Sequence, residues 1–183
     1  MNTIEIREPK ISKFLFADTR LSLLWLVVRL YVGYEWLTAG WHKLGNPAWT
    51  GSEAGTAVKG FLTGALQKTA GEHPDVSGWY ASFIQNVAMT HPVAISYLVV
   101  YGEILVGACL ILGLFTGIAA FFGIFMNFNY LFAGTISSNA ILLFLELFLL
   151  LAWRNSGWIG LDRYVLKSLG TPWQPGTAFE NQP

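Results

Sequence analysis

The chain has 183 residues, enough for one compact domain and too few for two ordinary ones. Hydrophobic residues make up 54% of it and charged residues 12%. This charged share is about half that of a typical soluble domain, so the composition argues against a soluble globule and indicates a membrane protein. Eleven basic residues balance eleven acidic ones, so the chain lacks the net positive charge that is typical of proteins that bind nucleic acid. The lone Cys109 excludes an internal disulfide and a thiolate zinc site.

Four apolar stretches are long enough to cross a hydrocarbon core of about 30 Å as helices. They are Leu21–Leu44, Val93–Leu114, Thr116–Gly134 and Ile136–Trp153. Their apolar runs are continuous rather than alternating, which argues against strands. Because the connections around Gly113–Gly117 and Gly134–Thr135 are short, consecutive spans must be antiparallel neighbours. We predict an all-α integral-membrane protein, an up-down bundle of four helices.

Basic residues near the span ends predict the orientation of the chain. They flank the first span at Arg7, Lys10, Lys13 and Arg20, and the last span at Arg154, Arg163 and Lys167. The loop 45–92 contains only Lys59 and Lys68, with Lys43 just before it. Both termini are therefore expected in the cytoplasm of a multi-pass cell-membrane protein. Segments 1–20 and 154–183 are then cytoplasmic, and 21–153 is the membrane domain.

The outer loop 45–92 carries two amphipathic patterns. The first has apolar residues at helical spacing, namely Val58, Phe61, Leu62, Ala65 and Leu66. The second follows Ser77, a candidate N-cap, and comprises Tyr80, Phe83, Ile84, Val87 and Ala88. We predict two surface helices, which either cover the mouth of the bundle or only anchor the loop to the membrane.

Polar residues interrupt all four spans. They are Arg29 and Glu35 in the first, Glu103 in the second, Asn127 and Asn129 in the third, and Asn139 and Glu146 in the fourth. A charge at the centre of a bilayer costs about 3 kcal/mol, so these side chains are predicted to face the bundle interior. By helical rise, Arg29 lies within reach of Glu103 and Glu146, and we predict that it pairs with one of them. Alternatively, an Arg29–Glu103 pair only joins two helices. The histidines are expected at the membrane interface or in a loop, without metal or haem.

Several segments resemble one family of membrane proteins. They are Gly33–Leu44 with Asn46–Trp49, Tyr101–Gly107, Leu112–Gly117, Phe125–Tyr130, Ser137–Asn139 and Gly160–Arg163. Together they are similar to the DoxX/DoxD family, over most of the chain. The DoxD branch is described as the membrane subunit of a thiosulfate:quinone oxidoreductase, beside a small subunit called DoxA. The resemblance implies a thiosulfate dehydrogenase that uses quinone as electron acceptor, or a subunit of it. It also implies a DoxA-like or sulfurtransferase partner.

The resemblance and the polar residues together suggest roles for individual side chains. Arg29, Glu103 and Asn127 are candidate catalytic residues, with Glu103 relaying protons. Candidate quinone-binding residues are Glu35, Trp36, Trp41, Asn129, Asn139 and Glu146. His42 and Lys43 are expected to attract the anionic sulfur substrate at the outer mouth.

Two other classes of function fit the same sequence. A non-catalytic scaffold would recruit redox partners, and a conductor of small solutes or protons would also use intramembrane carboxylates. Four helices enclose a narrow pore, so the conductor would need a homo-oligomer.

Overall fold

The computed structural model of the protein describes residues 8–169, and the regular structure among these residues is entirely helical. The N-terminal part contains α1 (Lys10–Ala17), a 3-10 turn (Thr19–Leu21) and α2 (Ser22–Leu44). The following loop contains α3 (Pro47–Thr50), α4 (Thr56–Gln67), α5 (Gly78–Phe83) and a π-helical turn (Ile84–Ala88). The rest contains α6 (Pro92–Leu112), α7 (Thr116–Phe132), α8 (Asn139–Leu151), α9 (Trp153–Ser156) and α10 (Asp162–Ser168). The all-α prediction is confirmed.

Four of these helices lie over the predicted spans and differ from them mainly at their ends. Helix α6 ends two residues before the predicted end because Gly113, with φ of +63°, adopts a left-handed conformation that terminates the helix. Helix α8 begins three residues late, since residues 136–138 form a turn in which Ser137 has φ of +37°. Among residues 8–169, α6 is the helix long and apolar enough to cross a membrane, with a mean hydropathy of 2.1. Helices α7 and α8 are apolar but shorter.

Helices α2 and α6 approach until their backbones touch. A Cβ on Gly107 would collide with the backbone of Leu37, and one on Gly40 would lie 2.9 Å from the backbone nitrogen of Ile104. Small residues at a helix interface permit this approach in apolar surroundings. The contact sets the position of the functional side chains, because the Cβ of Glu103 lies directly opposite Gly40.

Helix α2 also contacts α8, α8 packs on α7, and α7 packs on α6. The four helices therefore meet in a closed ring of contacts. Their buried core comprises Trp25, Val32, Trp36, Val106, Leu110, Ala119, Ala120, Leu142, Leu149 and Ala152. These side chains pack together between the four helices.

The outer loop folds over one end of this ring as a second small core. The first amphipathic pattern buries Val58, Leu62 and Ala65 of α4, and the second buries Tyr80, Ile84 and Ala88 of α5 and the π-helical turn. Two members of the second pattern, Phe83 and Val87, are exposed. Ser77 stands at the N-cap position of α5, but its side chain makes no capping bond. The Nζ of Lys68 donates to the backbone oxygen of Gly134 at 2.7 Å, which ties the loop to the end of α7.

Asp162 closes the opposite end of the ring. Its buried carboxylate accepts hydrogen bonds from the backbone nitrogens of Phe115 at 2.5 Å and Thr116 at 2.9 Å. Its own backbone nitrogen donates to the oxygen of Gly113 at 2.7 Å. The free N–H groups at the start of α7 are thus satisfied by a residue far along the chain.

The contact between α2 and α6 predicts the effect of a single methyl group. We expect Gly107→Ala to lower the free energy of unfolding by about 1–3 kcal/mol, because the added Cβ meets backbone that cannot rotate away. Gly102→Ala on the same helix is the control, since its Cβ would meet only the flexible Met126 side chain, at 3.2 Å from the sulfur. Denaturant unfolding of the purified variants measures both; equal stability of the two would contradict the close contact.

The Asp162 cap predicts a graded loss of stability. Asp162→Ala leaves two buried N–H groups without an acceptor and should cost about 1–3 kcal/mol. Asp162→Asn should cost less, because its amide oxygen still accepts one of the bonds. Thermal unfolding followed by circular dichroism gives the ranking, and an alanine variant as stable as the asparagine variant would contradict it.

Candidate functional site

Glu103 of α6 lies at the centre of a polar cluster built by three helices. Its side chain is 1% exposed, and both carboxylate oxygens lie 2.7 Å from the Nζ of Lys43 on α2. The hydroxyl of Tyr130 on α7 donates to Oε1, also at 2.7 Å. Charge-assisted hydrogen bonds of this length are stronger than neutral ones, so the cluster is well anchored.

Side-chain direction on α2 explains why Lys43 reaches Glu103. Side chains on an α-helix lean toward its N-terminus, so Lys43 extends back along α2 toward the level of Gly40, where Glu103 lies. The Nζ of Lys43 also stands 5.3 Å from the ring centroid of Trp49, within the range of a cation–π contact. Lys43 is 22% exposed, so the ion pair is closed on the Glu103 side and open on the other.

The open side of the ion pair faces a cavity of about 280 Å³, which we call the polar cavity. Its polar wall includes Glu35, Lys43, Glu103, Tyr130, Ser138 and Asn139, and its aromatic wall is Trp36, Trp49 and Phe61. One cation and two carboxylates border this space. Hydrogen-bond donors and flat apolar surfaces therefore converge on the same small volume.

Glu146 is the acceptor of a second, fully buried network. The Nε1 of Trp36 donates to Oε1 of Glu146, and the Nδ2 of Asn127 donates to Oε2 at 2.7 Å. Gly123 leaves the space that this network occupies, since a Cβ there would clash with the carboxylate. The Oδ1 of Asn127 has no hydrogen-bond partner among residues 8–169. Because Trp36 also lines the polar cavity, it links the two networks.

Arg29 belongs to neither network, and its predicted pairing with Glu103 or Glu146 is wrong. The Nη2 of Arg29 donates to the backbone oxygen of Ile159 at 2.7 Å. Its Nε and Nη1 have no hydrogen-bond partner in the described part of the chain. The direction of the side chain is the cause: it leans toward the start of α2 and ends between Gly113 and Gly160, away from the carboxylates of Glu103 and Glu146.

The remaining predicted residues are split between the cavity and the surface. Glu35 and Asn139 line the polar cavity, with the Nδ2 of Asn139 donating to the oxygen of Thr135 at 3.0 Å. Trp41 and His42 are exposed, and neither lines the cavity. Tyr130 was not among the sequence candidates. Its position three residues after Asn127, on the same face of α7, is the signal that identifies it.

A second cavity of about 200 Å³ lies between the outer loop and helices α6 and α7. We call it the apolar cavity; its wall includes Phe83, Ala88, Leu98, Val99, Phe125 and Met126. Its polar lining includes Tyr80, whose hydroxyl donates to the backbone oxygen of Asn129 at 3.0 Å and contacts its Oδ1 at 3.2 Å. Burial raises the pKa of Tyr80 to about 12, so this phenol stays a donor at neutral pH.

No group of three or more metal-ligating side chains occurs among residues 8–169. The comparison with curated proteins gives no match, and neither does the comparison with solved structures. The comparison with protein families matches residues 24–135, more than half of the chain, to DoxX. The matched stretch includes the residues of α2, α6 and α7 that line the two cavities. Members of this family are membrane-associated. By this match, the chain belongs to the DoxX family.

Proposed function

We propose that the protein crosses the cell membrane four times, through α2, α6, α7 and α8 in up-down order, with both termini in the cytoplasm. The apolar α6, the closed ring of contacts and the short connections at 113–115 and 133–138 support this arrangement. The basic residues that flank α2 and follow α8 support the orientation. The outer loop then covers the polar cavity on the external side.

We further propose that the polar cavity binds a membrane quinone, which accepts electrons from a reduced sulfur compound such as thiosulfate. The observation that carries this proposal is the Lys43–Glu103–Tyr130 cluster, which lines a cavity inside apolar helices. The residues fit the ligand. A quinone is neutral and flat: a carbonyl oxygen can accept the third N–H of Lys43, two of which bond to Glu103, and the ring matches the aromatic wall.

A quinone in this cavity would supply two-electron chemistry: its reduction to quinol would take two electrons from the reduced sulfur compound, which is thereby oxidised, and two protons delivered through the protein. Glu103 is the residue proposed to pass protons, since its carboxylate contacts both donors at the cavity wall. Tyr130 holds the Glu103 carboxylate in place at the cavity wall through its hydroxyl. Asn127 and Glu146 act indirectly, by holding the Trp36 ring at the wall.

The charges of the polar cavity favour a neutral ligand over an anion. Lys43 already donates two hydrogen bonds to Glu103, which balances its charge, and the carboxyl group of Glu35 borders the same space. A dianion such as thiosulfate would meet more negative than positive groups there. We therefore assign oxidation of the sulfur compound to a partner, a DoxA-like or sulfurtransferase subunit that docks on the external side. This replaces the predicted role of His42 and Lys43 in binding the anion.

The experiment that tests the function uses the purified protein in lipid vesicles with thiosulfate and a water-soluble quinone. Quinone absorbance is followed with and without the candidate partner subunit. Reduction that requires this chain is the expected result. Absence of turnover in both mixtures, with binding of the partner retained, would overturn the enzymatic proposal and identify a scaffold instead.

Substitutions in the cluster should separate its roles. We expect Glu103→Gln to lower kcat for quinone reduction about a hundredfold or more, because the proton carrier is lost. Tyr130→Phe should lower kcat only about tenfold, because Glu103 stays in place and loses one of its hydrogen bonds. Initial rates over a range of quinone concentrations distinguish the two effects.

Tyr101→Phe is the matched control for Tyr130→Phe, since Tyr101 lies half-exposed on α6 and borders neither cavity. Its kinetic constants should equal those of the wild type. Thermal unfolding of each variant checks that the helices still pack. Wild-type kinetics for both cluster variants would remove Glu103 and Tyr130 from the proposed reaction.

A further inference from the structure

We propose that the apolar cavity holds the first part of the isoprenoid tail of the quinone and admits this ligand sideways from the lipid. The inference rests on the proposed function, because it concerns the tail of a ligand whose ring occupies the polar cavity. It adds the route of entry and the part of the ligand that determines affinity.

The apolar cavity has a rim on the outer surface of the helix ring. Leu98 on α6 is 67% exposed and Phe125 on α7 is 56% exposed, and both line the cavity. Leu98 belongs to the helix that is apolar and long enough to cross a membrane. In the proposed topology the opening between these two side chains therefore faces acyl chains rather than water.

The two cavities have a common wall. Trp49, Phe61 and Tyr130 line both of them. The rings of Phe61 and Tyr130 meet edge to face with centroids 5.9 Å apart, while the hydroxyl of Tyr130 points to Glu103. Tyr130 thus presents its ring toward the apolar cavity and its hydroxyl to the polar cluster. A ligand with a polar ring and a hydrocarbon tail matches this change of chemistry across the wall.

The lining of the apolar cavity offers little to a polar ligand. Tyr80 and Asn129 are polar members of the wall, and they bond to each other: Asn129 accepts from Tyr80 and donates its Nδ2 to the oxygen of Phe125. A charged group or a peptide placed there would lose its hydrogen bonds with water and regain few. Hydrocarbon loses nothing of this kind, so a tail is the ligand that the wall favours.

The π-helical turn Ile84–Ala88 forms one side of the apolar cavity. It continues α5 directly, and the space is lined by Ala88, the last residue of the turn, and by Phe83, the residue just before it. Single π-helical turns occur frequently at functional sites, where the extra residue in the turn re-aims the neighbouring side chains. The cavity volume of about 200 Å³ accommodates only the beginning of a long tail, so the remainder leaves past Leu98 and Phe125.

The test compares two quinones with the same ring, one with an isoprenoid tail and one without. Leu98→Trp places a large side chain at the rim, and Val99→Phe fills the cavity from the same helix. Leu105→Trp is the matched control, because Leu105 is 63% exposed, follows Leu98 by two helical turns and lies outside the cavity. Equilibrium binding is measured in nanodiscs of one lipid composition, so that partitioning of the tailed quinone is the same for every variant.

In the Leu98→Trp and Val99→Phe proteins, we expect the apparent Kd of the tailed quinone to rise about tenfold, the loss expected when a few buried methylenes are excluded. The Kd of the tailless quinone should stay within about twofold of its wild-type value, because the substituted side chains do not border the polar cavity. Leu105→Trp should change neither.

Two results would overturn the tail site. If both quinones weaken equally, or if the tailed quinone binds every variant as it binds the wild type, the tail lies elsewhere and the quinone-binding proposal remains intact. If neither quinone binds the wild-type protein, the proposed function itself fails and the tail site fails with it. Binding rather than turnover is the readout, so a missing partner subunit does not affect the outcome.

Discussion

The ion pair between Glu103 and Lys43 is the interaction on which the rest of the structure depends. Taking two such charges out of water costs several kcal/mol each, and only good geometry with further hydrogen bonds offsets that cost. Here the geometry comes from the backbone contact of α2 with α6 at Gly40 and Gly107, and the further bond from Tyr130. A slip of one helix along the other would leave a buried carboxylate alone, so the pair also selects the alignment of the two helices.

The buried carboxylates Glu103 and Glu146 lie in two different hydrogen-bond networks. Glu103 has a cation beside it and borders a cavity, whereas Glu146 receives neutral donors only from Trp36 and Asn127, within the described residues, and is enclosed. The first arrangement is suited to exchanging protons with a ligand, and the second to holding a side chain in place. Trp36 donates to Glu146 and also lines the polar cavity, so the position of the cavity wall depends on a carboxylate outside that wall.

Composition and hydrophobic runs were sufficient to predict the all-helical fold and the two outer-loop helices, whereas the family was indicated by the resemblance of short sequence motifs. They also identified Glu103, Asn127 and Glu146 as buried, because uncompensated polar groups stand out in an apolar helix. The partners could not be predicted from depth alone. Arg29 lies in the first half of α2 and Lys43 in its last turn. Both side chains lean toward the start of the helix, which carries Arg29 away from Glu103 and brings Lys43 to it. The sequence did not predict a role for Tyr130, because aromatic residues are common in such helices.

The Asp162 carboxylate ties the beginning of α7 to a residue made much later. Synthesis proceeds from the N-terminus, so the α6–α7 hairpin leaves the ribosome while the acceptor for Phe115 and Thr116 is still missing. The first turn of α7 therefore lacks this acceptor at first, and the hydrogen bonds to Asp162 form only after α8 has been synthesised. The segment around Asp162 thus completes a helix start that lies more than forty residues before it in the chain.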